Sequence, residues 1–182
     1  SYLSMMPNMT VLAPKNDREL EEMLAFAVSF DGPIAIRYPR GSAHQGLQEY
    51  QAPVEYGRSE IIRKGKKIAV LGVGSMIPSC MEICKGLKDD GYDPTFVNAR
   101  FVKPLDVDLL DELAKDHSLF VTVEENVKSG GYGEHVSAYM EACHPEIRVL
   151  SAAVWDRFVP QGNVESLRSR IGLGVEDIRQ AI

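Results

Sequence analysis

The sequence has few of the features that mark secreted, membrane-spanning or nucleic-acid-binding proteins. Its three cysteines are an odd number, and without secretory features this argues for reduced thiols. The longest apolar runs have the length of strands, well short of the roughly 20 residues that cross a bilayer, and residues 1–3 lack the basic start of a signal peptide. The formal charge of -6 includes no basic stripe, which disfavours nucleic acid and anionic membranes as partners. We therefore expect a cytoplasmic protein that binds neither.

Two of the cysteines, Cys80 and Cys84, are spaced i, i+4 in a stretch with helical periodicity. This spacing could present two metal ligands on one face, but no histidine or second cysteine pair completes a set. Because free cysteine behaves as a small buried hydrophobe, core packing is the favoured interpretation. With 182 residues, 45% of them hydrophobic, the chain corresponds to one domain, or to one domain and a fragment of a second.

The first 41 residues have the pattern of a single β-α-β unit. Residues 9–13 form an apolar run stopped by proline, Asp17 is a candidate helix N-cap, and residues 34–36 form a second apolar run. Between the runs, apolar residues recur with the spacing of one helix face at Leu20, Met23, Leu24 and Ala27. A unit of this size is too small to be a domain, so we expect residues 1–41 to be the last piece of a domain whose beginning lies outside this sequence.

Residues 42–53 are rich in Gln, Gly, Ala, His and Pro and lack periodicity, which is typical of a linker. Beyond them, strands and helices alternate. Strands are predicted at 56–62, 68–73, 95–102, 119–123 and 147–154, and helices at 77–87, 104–117, 134–143, 163–171 and 175–182. This alternation predicts an α/β fold for residues 54–182, with a mainly parallel, doubly wound sheet covered on both faces.

Glu124 and Glu125 come directly after an apolar strand, at the end where parallel sheets often place their chemistry. Successive side chains of a strand point to opposite faces, so the two carboxylates are poorly placed to act as an acid and base pair. The favoured interpretation is structural: one of them accepts hydrogen bonds from the glycine turn at 130–133 or caps the helix that follows. His135, on that helix, is a general base in residue type, but no nucleophile motif precedes it.

Residues 72–75, Gly-Val-Gly-Ser, lie between a predicted strand and a predicted helix, where a phosphate-binding glycine turn would sit. Ile77 occupies the position of the third glycine of a dinucleotide fingerprint, and no acidic residue closes the next strand. A tight strand-to-helix turn is therefore favoured over a bound phosphate.

Arg37 and Arg40 follow a predicted strand on a loop that Pro39 stiffens. Guanidinium groups on a fixed loop are suited to hold a phosphate or carboxylate at two points. The alternative is a pair of solvated or salt-bridged surface arginines, and spacing alone does not separate the two interpretations.

Four motifs follow one another in an order that resembles a known family. They are RYPRG at 37–41, NARFVKPLD at 98–106, TVEEN at 122–126 with GGYG at 130–133, and DRF at 156–158 with Gly162. Over nearly its whole length the chain resembles the carboxyl-terminal third of the 1-deoxy-D-xylulose-5-phosphate synthase family. The first two motifs are specific to that family, whereas EEN with GGYG would also fit transketolase or the β subunit of a 2-oxo acid dehydrogenase.

The resemblance implies a transferase of the transketolase class that uses thiamine diphosphate and Mg²⁺, works as a homodimer and supplies isoprenoid precursors. The family condenses pyruvate with glyceraldehyde 3-phosphate and releases carbon dioxide. It also implies that residues 1–41 are the tail of a pyrimidine-binding domain and residues 54–182 a transketolase-like carboxyl-terminal domain. Arg37 matches the arginine that holds the phosphate of the aldehyde substrate, and Arg40 is a second candidate for the same anion.

The family's Gly-Asp-Gly motif for magnesium and diphosphate does not occur in the sequence, and its catalytic glutamate and histidines match no position from Ser1 onwards. We therefore expect this chain to carry no catalytic or cofactor-binding residue, to bind no cofactor and to be inactive without the amino-terminal domains of the same enzyme. The alternative is a stand-alone association subunit of a split transketolase-like enzyme or of a 2-oxo acid dehydrogenase complex.

Overall fold

Two β-sheets and six helices make up the chain, of which the computed structural model describes all residues, 1–182. The strands are β1 (Thr10–Leu12), β2 (Ile34–Ile36), β3 (Glu60–Arg63), β4 (Lys67–Gly72), β5 (Thr95–Asn98), β6 (Phe101–Lys103), β7 (His117–Val127) and β8 (Arg148–Val154). The helices are α1 (Asp17–Ser29), α2 (Ile77–Asp89), α3 (Val107–Ala114), α4 (Tyr132–Cys143), α5 (Val164–Arg170) and α6 (Val175–Ala181). None of the helices combines the length and the apolar character needed to span a bilayer.

The larger sheet has five strands in the order β3-β5-β4-β7-β8. Strands β5, β4, β7 and β8 are parallel, and β3 pairs antiparallel at one edge. Successive residues of β4 enter opposite cores, since Ala69 and Leu71 pack on one face while Val70 packs on the other with Cys80 of α2. The predicted α/β fold with a mainly parallel sheet covered on both faces is confirmed.

The smaller sheet has the order β2-β1-β6. Strands β1 and β2 are parallel, as expected for a β-α-β unit, and β6 pairs antiparallel with β1. The prediction of one strand over 95–102 is wrong: Arg100 has a left-handed backbone with φ of 54°, which ends β5 and turns the chain into the other sheet. Strand β6 therefore joins the first 41 residues to the rest of the chain through backbone hydrogen bonds.

Two predicted helix ends also differ from the structure. Helix α1 is capped by Asn16 rather than Asp17, because the Asn16 side chain accepts a hydrogen bond from the backbone N–H of Glu19 at 2.9 Å. Helix α3 ends at Ala114, and His117 opens β7 instead of closing the helix. There the His117 ring is buried and lies 2.7 Å from the hydroxyl of Thr95 on β5.

A buried ionic network connects α1 to the larger sheet. The Glu19 carboxylate contacts Lys15 Nζ at 3.0 Å and Arg100 Nε at 2.7 Å. The Glu60 carboxylate contacts the same two cations at 2.8 and 3.2 Å. Asn98 donates to both carboxylates. Since all five side chains are buried and the two cations balance the two anions, each charge has the compensation that burial requires.

Candidate functional site

Arg37 directly follows β2 and is held at its backbone and at its side chain. Its backbone N–H donates to the carbonyl oxygen of Leu12 at 2.8 Å, which continues the pairing of β2 with β1. Its Nη2 donates to the main-chain carbonyl oxygen of Glu125 on β7. The residue is exposed, and its guanidinium forms no ion pair with any acidic side chain. Arg37 is thus oriented by a neutral acceptor and keeps an uncompensated positive charge.

A cleft of about 440 Å³ lies between the loop that follows β2, residues 38–44, and the larger sheet. Its polar lining includes Arg40 and His44 on one side and Ser75, Glu125 and Arg168 on the other. An adjoining pocket of about 210 Å³ contains Arg37 and shares Ser75 and Glu125 with the cleft. The structure therefore brings Arg37 and Arg40 to neighbouring parts of one concave surface, and Arg40, like Arg37, has no acidic partner.

A larger cavity of about 700 Å³ lies between α2, α5 and α6. Its lining contains one arginine, Arg168, and three acidic residues, Glu165, Glu176 and Asp177. A cavity with this charge disfavours anions, so its greater volume does not make it the candidate site for a phosphorylated ligand.

Glu125 is the one carboxylate in the cleft. Its Oε2 accepts a hydrogen bond from the hydroxyl of Ser75 at 2.9 Å and from Arg168 Nη2 at 3.0 Å, and its Oε1 accepts from Arg168 Nε at 3.3 Å. Burial opposes ionisation of Glu125, but the hydrogen bonds from Arg168 and Ser75 and the charges of Arg168 and Arg37 together hold its pKa below the usual value. The carboxylate is thus ionised and already compensated.

Glu124 points to the other side of β7 and is buried. Its two carboxylate oxygens accept hydrogen bonds from the backbone N–H groups of Tyr132 at 3.0 Å and Gly133 at 2.8 Å, at the start of α4. A Cβ atom on Gly131 would lie 2.5 Å from Glu124 Oε1, so glycine is needed there for the close approach. The predicted structural role for one carboxylate and the opposite directions of the two are confirmed.

The glycine turn at 72–75 is filled by neighbouring residues. A Cβ on Gly72 would lie 2.7 Å from Cys80 Sγ, and one on Gly74 would lie 3.0 Å from Ala13 Cβ. These close contacts agree with the interpretation as a tight strand-to-helix turn. No three His, Cys, Asp or Glu side chains cluster in the chain as a set of metal ligands.

The two spaced cysteines are core residues, as expected from their sequence context. Cys80 and Cys84 are buried with free thiols in the cluster on the α2 face of the larger sheet. Burial raises the pKa of both thiols, that of Cys84 to about 12. Thiols of this kind stay protonated and unreactive near neutral pH.

His135 is half-buried on α4 and forms no side-chain hydrogen bond.

Arg168 was not singled out in the sequence. It lies on α5, a helix whose N-cap Asn163 accepts hydrogen bonds from the backbone N–H groups of Glu165 and Ser166 at 3.0 and 3.4 Å. The sequence predicts a helix at 163–171, which the structure confirms, but the partner of Arg168 lies 43 positions earlier in the chain. No local sequence pattern predicts a contact between residues so far apart in the chain.

The sequence and the fold both match known proteins. Residues 57–178 match the family described as transketolase, C-terminal domain, and residues 1–45 match transketolase, pyrimidine binding domain. Because the first match covers more than half of the chain, the chain belongs to the transketolase C-terminal domain family. Among curated relatives, 1-deoxy-D-xylulose-5-phosphate synthase of Lachnoclostridium phytofermentans is 44% identical over 98% of the chain, and that of Dictyoglomus thermophilum is 40% identical over 100%. The predicted resemblance is confirmed.

The chain spans 29% and 30% of the length of these two relatives. Among solved structures, a split gene transketolase, described as an inactive beta4 tetramer, superposes with a TM-score of 0.88 at 28% identity, covering 98% of this chain and 57% of the other. Transketolase from Campylobacter jejuni gives a TM-score of 0.69 at 17% identity, covering 99% of this chain and 27% of the other, and supports the fold alone. Enzymes of this family depend on thiamine diphosphate.

Proposed function

We propose that the chain is the carboxyl-terminal part of a 1-deoxy-D-xylulose-5-phosphate synthase. The complete enzyme condenses pyruvate with glyceraldehyde 3-phosphate, releases carbon dioxide and supplies isoprenoid precursors. Residues 1–41 are then the tail of the pyrimidine-binding domain, 42–53 a linker and 54–182 the carboxyl-terminal domain. Support comes from the family matches at 1–45 and 57–178 and from relatives of that name at 44% and 40% identity.

In this proposal Arg37 holds the phosphate of the aldehyde substrate, and Arg40 is a second contact for the same anion. The observation that carries the assignment is that both arginines border the cleft without an acidic partner. The carbonyl of Glu125 occupies one N–H group of Arg37, and a guanidinium has five, so donors remain for two-point binding of a phosphate. The cleft and its adjoining pocket are lined by four cationic residues, Lys15, Arg37, Arg40 and Arg168, and by one carboxylate, that of Glu125. This excess of positive charge favours an anionic ligand.

The other features of the enzyme are also part of the proposal. Thiamine diphosphate and Mg²⁺ bind to amino-terminal domains outside residues 1–182, and the complete enzyme is a cytoplasmic homodimer. The 182 residues alone bind no cofactor and have no activity. Isothermal titration calorimetry of this chain with thiamine diphosphate and magnesium tests the point, because tight binding would contradict it.

The reaction itself is tested with the protein from the complete reading frame. Loaded with thiamine diphosphate and magnesium, it is expected to form 1-deoxyxylulose 5-phosphate and carbon dioxide from pyruvate and glyceraldehyde 3-phosphate. Turnover of a ketose donor such as xylulose 5-phosphate, with no decarboxylation of pyruvate, would assign the protein to transketolase chemistry and overturn the proposal.

A second candidate is an association subunit of a split transketolase-like enzyme or of a 2-oxo acid dehydrogenase complex. The likeness to the chain of a split gene transketolase, of which this chain covers 57% at a TM-score of 0.88, favours it. The mass of the native polypeptide separates the candidates. The first requires a polypeptide roughly three times longer than this chain, since the chain spans 29% of its relative, whereas an association subunit would be shorter and would restore activity only with a separate cofactor-binding chain.

A further inference from the structure

We infer that Arg168 is a positioning residue for the substrate phosphate: by compensating the Glu125 carboxylate, it leaves the Arg37 guanidinium free for the anion. The inference deepens the proposed function and rests on it for the identity of the ligand. Arg168 lies on helix α5, in the carboxyl-terminal part of the chain. No side-chain hydrogen bond joins α5 to β1 or β2.

Glu125 offers Arg37 two acceptors, a main-chain carbonyl and a carboxylate. Arg37 Nη2 takes the carbonyl, and the two side chains form no ion pair. The Arg37 charge is nevertheless near enough to contribute to the lowered pKa of Glu125. The carboxylate is therefore an acidic competitor for the guanidinium that the proposed function assigns to the phosphate.

Arg168 and Ser75 keep this competitor occupied. Arg168 holds both carboxylate oxygens in a two-point contact at 3.3 and 3.0 Å, and the Ser75 hydroxyl adds a second donor to Oε2 at 2.9 Å. The side chains of Arg168 and Glu125 are 22% and 33% exposed, so the pair is shielded from most of the solvent. A planar guanidinium suits this geometry, which the single ammonium of lysine cannot reproduce.

Removal of Arg168 would leave the Glu125 carboxylate partly buried with one hydroxyl donor. A carboxylate in that state attracts a free cation, and Arg37 is already hydrogen-bonded to the carbonyl of the same residue. Pairing of Arg37 with Glu125 would then compete with the phosphate, although Arg168 itself need not contact the ligand. A direct contact between Arg168 and the phosphate is the alternative, because Arg168 also lines the cleft.

A second-site rescue in the complete holoenzyme separates the two roles. Arg168→Ala is expected to raise KM for glyceraldehyde 3-phosphate about tenfold, the effect of losing roughly one charge-assisted contact, with kcat changed less than about twofold. Adding Glu125→Gln removes the competing charge and is expected to restore KM to within about threefold of the parent enzyme. Failure of the double variant to recover would overturn the inference, and so would an unchanged KM in Arg168→Ala.

The matched control is Arg179→Ala on α6, which removes another arginine paired with carboxylates, those of Asp90 and Glu176, away from the cleft. It is expected to leave KM unchanged. If Arg168→Ala does not fold, Arg168→Gln alone and with Glu125→Gln takes its place. Calorimetric titration of the same variants with inorganic phosphate gives a readout that does not depend on turnover. Weaker phosphate binding in Arg168→Ala, restored in the double variant, supports the inference even if the complete enzyme forms no deoxyxylulose phosphate. Equal phosphate affinities in all variants contradict it.

Discussion

The Nη2 atom of Arg37 donates a hydrogen bond to the main-chain carbonyl oxygen of Glu125, a residue 88 positions further along the chain. The contact joins the loop after β2 to the carboxyl end of β7 and adds to the pairing of β1 with β6. The carboxyl-terminal part of the chain therefore orients the arginine that the proposed function assigns to substrate binding. This part of the molecule thus contributes to the geometry of the site.

Glu124 is expected to stabilise the fold rather than to act on a ligand. Glu124→Ala removes the acceptor of two backbone N–H groups at the start of α4, which should lower the free energy of unfolding by about 2–3 kcal/mol. Glu134→Ala is the matched control, since Glu134 accepts from the backbone N–H of Gly130 at an exposed position. Chemical denaturation should show a smaller loss for the control, and equal losses would contradict the role given to Glu124.

The buried ionic network should respond strongly to the loss of one member. Arg100→Met leaves the Glu19 and Glu60 carboxylates with one cation, Lys15, instead of two, and should destabilise the protein by about 3–5 kcal/mol. Arg18→Ala, which breaks the exposed pair of Arg18 with Glu22, should cost at most about 1 kcal/mol. Urea unfolding of the two variants measures the difference, and a loss of similar size in both would argue against the network as a stabilising link between α1 and the larger sheet.

Glu60 should make stability dependent on acid pH. Burial raises its pKa, but the hydrogen bond and charge of Lys15, the charge of Arg100 and a hydrogen bond from Asn98 together bring it below the ordinary value of 4.5. Because the unfolded state then binds more protons, the stabilisation by this group is complete above pH 4.5 and is lost as the pH falls through the folded-state pKa. Glu60→Gln should flatten the fall in unfolding free energy below pH 4.5, and an unchanged slope would contradict the assignment.

Much of the larger sheet could be predicted because its signals are local. The alternation of Ala69, Val70 and Leu71 between two cores is encoded in β4 itself, and the opposite directions of Glu124 and Glu125 follow from strand geometry.

The features that sequence reasoning missed depend on distant parts of the chain. The apolar residues Phe101 and Val102 favour continuation of β5, and only the left-handed backbone of Arg100 sends them to the smaller sheet. Glu19 lies on α1, and its buried partners are Lys15, which precedes the helix, Asn98 of β5, and Arg100, which follows β5. The contact between Arg168 and Glu125 is likewise invisible to local periodicity.

The central claim, that Arg37 holds the phosphate of the aldehyde substrate, is tested by comparing two aldehydes in the complete enzyme. Arg37→Ala should raise KM for glyceraldehyde 3-phosphate roughly ten- to a hundred-fold, the equivalent of about 1.5–3 kcal/mol for one charge-assisted contact, while pyruvate decarboxylation stays nearly intact. With glyceraldehyde, which lacks the phosphate, the variant and the parent enzyme should give the same KM. A variant that keeps the parent enzyme's preference for the phosphorylated aldehyde would contradict the account.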